Sequence, residues 1–140
     1  MKYLLAITLL FYGAEVFSEP STIYINQFKQ ALKIEGDFFY VPALFVFNSN
    51  GQLIQALQQK DIRIKTSASD HDTNHQYATL EELTNKIPQL QLLKTGELAY
   101  ILVDASYCAP CKPIITEFKQ ETLPTLPNNK NITTINLELD

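Results

Sequence analysis

The sequence predicts a single α/β domain built on a four-stranded mixed sheet with flanking helices. Three observations carry this reading. Two dense apolar runs, residues 38–47 and 98–104, have the length and β-branched or aromatic composition of buried strands. Segments 22–35, 79–93 and 108–123 place apolar residues at helical spacing before, between and after those runs. Asn50-Gly51, just after the first run, is a strong local signal for a hairpin.

The first twenty residues stand apart. Met1-Lys2 gives a positive start, residues 3–14 are almost wholly apolar, and Val16-Phe17-Ser18 offers a modest-sized exit before Glu19-Pro20. That is the layout of a secretory signal peptide. The apolar stretch is shorter than the roughly 20 residues a membrane span needs, and no Cys follows it to carry a lipid. Residues 1–18 are therefore read as a signal peptide and 19–140 as one domain, periplasmic or secreted. The other reading is an uncleaved anchor, which would be the chain's only expected contact with a membrane.

Within the domain, Ile25, Phe28 and Leu32 mark one face of a helix over 22–35, ended by Gly36-Asp37. Residues 38–47 form the first strand and 52–57 its return partner, joined through Asn48-Ser49-Asn50-Gly51. Pro42 is unusual there, because proline cannot donate to a central ladder. Residues 61–65 read as a short edge strand and 66–78 as a polar loop. Thr79 and Glu82 fit a capping box for a helix over 79–93, which Pro88 breaks or kinks. Residues 98–104 form the second apolar strand. Residues 108–123 form a helix buried through Ile114, Ile115, Phe118 and Leu123, and 132–139 alternate as a last strand.

The net charge of −4 argues against nucleic acid, which favours a basic face. Only two cysteines occur, Cys108 and Cys111. A small secreted scaffold stapled by disulfides would show more, spread along the chain. Two Cys three apart also close too small a loop to constrain the unfolded chain much.

Their setting suggests chemistry instead. A Cys at a helix start sees the positive end of the helix dipole and unpaired backbone amides, which favour thiolate over thiol. The thiolate is the nucleophile. With the helix starting at Cys108, that residue attacks a partner's disulfide, and Cys111, one turn in and more buried, resolves the mixed disulfide. Lys112 adds a positive charge of small effect if it points to solvent. Two bland readings stand beside this one. A Cys pair can be half of a zinc site, which needs four ligands; only His71 and His75, in the polar loop beside Asp70 and Asp72, could complete it. The pair could also be inert. No metal or cofactor is expected.

The run ILVDASYCAPCKPI, residues 101–114, resembles the active-site segment of the thioredoxin family, with Tyr107 as the aromatic before the first Cys and Pro110 before the second. The resemblance implies a three-layer thioredoxin-like sandwich, Cys108 as attacking and Cys111 as resolving residue. It also offers Asp104 as a counterpart of that family's buried strand acid, which relays the resolving proton with its pKa raised by burial, provided a short gap is allowed. The bland alternative is an exposed acid at a strand end. Residues 40–47 followed by Asn50-Gly51 resemble the family's segment that sets a cis-proline beside the two Cys. That implies a cis Val41–Pro42 bond and a substrate groove holding Val41, Pro42, Tyr107 and Pro110.

The order of these parts differs from the family's, in which the Cys segment comes first and the proline strand, its partner and a last helix follow. A circular permutation reconciles them. The rivals are an N-terminal hairpin added to a truncated domain, and a missing half supplied by a second chain. The leading functional expectation is thiol–disulfide exchange on exported proteins, as reductant or isomerase more than oxidant, with protein thiols or disulfides and a redox donor or acceptor protein as partners. The alternative is a non-catalytic thioredoxin-like binding or assembly module of the cell envelope or a secretion system.

Overall fold

The structure is a computed structural model, and it describes residues 23–34, 40–63 and 77–139. The segment 1–18 expected to be a signal peptide, the expected helix stop at Gly36-Asp37 and the expected loop carrying His71 and His75 lie outside those residues.

In chain order the elements are β1 (Ile23–Tyr24), α1 (Ile25–Leu32), β2 (Ala43–Phe47), β3 (Leu53–Gln58), a 3₁₀ turn (Gln59–Arg63), α2 (Leu80–Lys86), a second 3₁₀ turn (Pro88–Leu90), β4 (Ala99–Ala105), α3 (Cys111–Glu117) and β5 (Ile132–Glu138). After α3 the chain continues through a π-helical turn, Phe118–Thr122, and a 3₁₀ turn, Leu123–Thr125. The strands form one mixed sheet in the order β1-β5-β4-β2-β3. β4 is central: it runs parallel to β5 and antiparallel to β2, with Phe45 opposite Ile101 and Ile135 opposite Val103.

The sheet has five strands, one more than expected. The segment predicted as helix from residue 22 opens instead with Ile23 and Tyr24, which pair with Leu137 and Glu138. Ile23 is buried against the sheet and Tyr24 is exposed, a strand's alternation that the helical period hid. The predicted edge strand over 61–65 is, as far as Arg63, a 3₁₀ turn. Its one apolar anchor, Ile62, is fully buried, and a single buried residue secures a turn better than a ladder.

Side chains alternate across the sheet into two cores. Ala43, Phe45 and Phe47 of β2, with Ile101 and Val103 of β4, meet Phe28 and Leu32 of α1 and Leu80 and Leu83 of α2 on one face. Leu44 and Val46, with Tyr100 and Leu102, meet Cys111 and Ile115 of α3, and Phe118, on the other. Burial on both faces explains why β2 and β4 read as unbroken apolar runs instead of alternating ones.

Local chemistry closes the connections. Asn48 Oδ1 accepts the N–H groups of Asn50 and Gln52, each at 2.9 Å, and Gly51 takes φ +78°, so the hairpin turn uses a conformation glycine adopts at no cost. Thr79 Oγ1 accepts the Glu82 N–H at 3.2 Å, the predicted cap of α2. Buried Asn131 accepts the Lys94 N–H and donates to the Lys94 and Leu98 carbonyls, holding the entry of β4 against that of β5.

Candidate functional site

The site lies where β4 ends. Ser106 donates its N–H to the Leu137 carbonyl and its hydroxyl to Glu138, fixing the strand's exit against β5. Cys108 N–H then bonds the Ala105 carbonyl at 3.1 Å, turning the chain back over the face that α3 covers. Cys111 is wholly buried in the α3-side core, whereas Cys108 is half-buried and reaches solvent. The two are joined by a disulfide with a Cα–Cα separation of 5.4 Å. The difference in burial expected of the pair is therefore present.

The helix start is not where it was expected. α3 begins at Cys111, not at Cys108. The N–H of Cys111 bonds the Cys108 carbonyl and that of Lys112 bonds the Ala109 carbonyl, each at 3.3 Å, so a tight turn precedes the helix. Prolines explain the delay. Pro113 has no amide hydrogen to close the bond back to Ala109 that a helix starting at Cys108 would need, and Pro110 disfavours the helical conformation at Ala109 before it; Ile114 is the next amide able to close an α-helical bond. The amides of Cys111 and Lys112 are thus already paired with carbonyls ahead of α3.

Across from Cys108 stands the chain entering β2. The Val41–Pro42 bond is cis, as the resemblance implied. Val41 and Cys108 each pack against the cores on both faces of the sheet. A groove of about 220 Å³ runs between them, lined by Val41, Pro42, Gln59, Lys60, Cys108, Pro110, Cys111 and Ile114. Five of the proposed site residues thus line one cleft: Val41, Pro42, Cys108, Pro110 and Cys111.

Tyr107 and Asp104 lie outside the lining. Tyr107 is 41% exposed beside Cys108, and burial of part of its ring raises its phenol above the ordinary tyrosine range. Asp104 is on the α3-facing side of β4, since its neighbours Val103 and Ala105 point into the other core. Its Oδ1 accepts the Ala105 N–H at 2.7 Å and its Oδ2 accepts from Lys112 Nζ at 2.6 Å. Asp104 is therefore neither the freely solvated strand-end acid nor an isolated buried one: it is ion-paired, and Lys112 does not simply point to solvent.

Gln59 and Lys60 are the groove residues that sequence reasoning missed. Gln59 has φ +53° and donates its N–H to the Pro42 carbonyl at 2.6 Å, which folds the 3₁₀ turn against the entry of β2. The alternation of Ile62 and Ile64 in the sequence pointed to a strand there instead of a turn. Among the described residues no group of three or more His, Cys, Asp or Glu is placed to hold a metal ion, and no helix is long and apolar enough to cross a membrane.

Comparison with protein-family models, curated proteins and solved structures found no match to this chain.

Proposed function

We propose that this chain is an exported thiol–disulfide oxidoreductase working through Cys108 and Cys111 on a circularly permuted thioredoxin-like domain. The observation that carries the reading is the shared groove: a half-exposed sulfur and a buried one face a cis-proline delivered by a neighbouring strand.

Topology supports the permutation. Read from β4 through α3 to β5, then on through β1, α1, β2, β3 and α2, the elements run strand, Cys pair, helix, strand, proline strand, return strand and last helix, with β1 and α1 as the link. That is the order of the resembled family. β2 and β3 also lie in the same sheet as β4, which favours a domain complete within one chain over a hairpin appended to a truncated one or a half borrowed from another.

In the reduced protein, the Cys108 thiolate attacks one sulfur of a substrate disulfide; the substrate's other sulfur leaves as thiolate and a mixed disulfide forms. Cys111 then loses its proton, attacks Cys108 Sγ and releases the reduced substrate, leaving Cys108–Cys111 oxidised. Asp104, on the same sheet face as Cys111, is proposed as acceptor of that proton. A donor protein returns two electrons. Cys-Ala-Pro-Cys leans towards reduction or isomerisation. Export rests on residues 1–18.

Reduction of insulin disulfides, compared with a Cys108→Ser variant, tests this. Turnover that vanishes in the variant supports it; turnover indifferent to Cys108 overturns it. The late helix start favours one second reading, a binding module whose cysteines turn over little. Alkylation of Cys108 against pH separates the two, because a thiol titrating near the free value of about 8.5 supports the module.

A further inference from the structure

We propose that Lys112 is a positioning residue: its ammonium balances the Asp104 carboxylate on the elements that carry the cysteine pair, and this balance keeps either charge alone from biasing reduction of the Cys108–Cys111 bond. The inference deepens the exchange chemistry proposed above and rests on it.

The geometry is specific. Lys112 Nζ lies 2.6 Å from Asp104 Oδ2, and the carboxylate side chain is 13% exposed while that of the lysine is 61% exposed. The other carboxylate oxygen takes the Ala105 N–H at 2.7 Å, so Asp104 is fixed at both oxygens. Each charge is one residue away from the cysteines' own bonding network. Ala105, next to Asp104, accepts the Cys108 N–H, and Lys112 follows Cys111 directly. The ion pair also ties the first turn of α3 to the end of β4.

The electrostatic consequence follows from which state carries charge. The disulfide is neutral. Reduction by two glutathione thiols adds two electrons and two protons across the bond and forms one glutathione disulfide; to the extent that Cys108 then ionises, the reduced state bears a negative charge. A bare Asp104 opposes that charge and a bare Lys112 favours it. Together they nearly cancel, so neither a strongly reducing nor a strongly oxidising bias comes from them.

The test is equilibration of the full chain with defined glutathione mixtures at one pH, with dithiol and disulfide fractions read by alkylation and mass. Asp104→Asn, which keeps an acceptor for the Ala105 N–H, is expected to raise the equilibrium constant for reduction about three- to ten-fold, the scale of one partly screened charge. Lys112→Met is expected to lower it by a similar factor. The double variant returns to within about two-fold of the parent, and Lys112→Arg stays there. Should Lys112→Met fail to fold, Lys112→Gln gives the same reading. Shifts of the two single variants in the same direction, or no shift beyond about two-fold, overturn the proposal, because loss of a purely structural strap moves both alike. Glutathione is the only reactant, so this outcome is independent of insulin reduction: a protein that ignores insulin can still show opposed shifts, and an active one can lack them.

Discussion

Pro42 and Cys108 wall the same groove, although one leads into the second strand of the sheet and the other follows the fourth. β2 and β4 are hydrogen-bonded neighbours, with Ala43 opposite Val103, so the residue just before β2 and the turn just after β4 meet at the same end of the sheet.

The unequal burial of the two sulfurs predicts which one forms adducts. Cys108 is half-buried and Cys111 has no exposed surface. Incubated with a disulfide-bonded peptide, the reduced Cys111→Ser variant is expected to accumulate a stable mixed disulfide, at least about ten-fold more than reduced Cys108→Ser, since access controls attack. Intact-mass measurement under non-reducing conditions reads this directly. Equal adduct on both variants would remove the division into attacking and resolving residues.

The groove's far wall is held by a buried apolar anchor as well as by the Gln59–Pro42 hydrogen bond. Ile62 is fully buried in the α3-side core while its neighbours in the 3₁₀ turn, Lys60 and Asp61, are exposed. Ile62→Ala is expected to cost about 2–5 kcal/mol in denaturant unfolding, the range for truncating a buried aliphatic side chain. It should also slow peptide-disulfide reduction more than it slows reaction with glutathione, which needs little of the wall. A loss under about 0.5 kcal/mol would show that the turn is not held by Ile62.

Much of this site was legible in the residues, and the reasons are physical. The strand over 98–104 and the Cys pair after it could be read because burial on both faces writes a continuous apolar run. The hairpin could be read because Asn48 and Gly51 supply turn chemistry that few other residues can. The start of α3 could not, because Pro113 acts by removing a donor and Pro110 by restricting Ala109, effects the hydrophobic period does not register. β1 was hidden since two residues are too few to display a period of two. The Asp104–Lys112 pair and the Gln59–Pro42 contact arise from tertiary placement alone.

The cap of α2 offers a local test. Thr79 Oγ1 accepts the Glu82 N–H at 3.2 Å, and the Leu80 N–H bonds the Gly51 carbonyl at 2.8 Å, so this helix start is pinned to the hairpin turn. Thr79→Ala is expected to lower unfolding free energy by about 1 kcal/mol, with Thr79→Ser largely restoring it. An unchanged denaturation midpoint in Thr79→Ala would mean that the backbone contact to Gly51 holds the helix start unaided.

Tyr100 connects burial to pH. Its ring is 1% exposed beneath α3, and its hydroxyl donates to the Pro127 carbonyl at 2.6 Å. Burial raises its phenol above the ordinary value of 10.0. The folded state thus holds its proton at a pH where the unfolded chain has begun to lose it. Stability from this group is fully present below about pH 10 and is lost as pH rises towards the folded value. At neutral pH, Tyr100→Phe should be less stable by about 1 kcal/mol, for the lost hydrogen bond. Since the variant has no phenol at that position to ionise, the gap between the two proteins should narrow as pH climbs from about 9 to about 11, at a rate bounded by roughly 1.4 kcal/mol per pH unit. Urea unfolding at several pH values measures both curves, and the remaining tyrosines and the lysines affect each alike. A gap that stays constant across that range would mean that the phenol ionises as easily in the folded protein as in the unfolded chain.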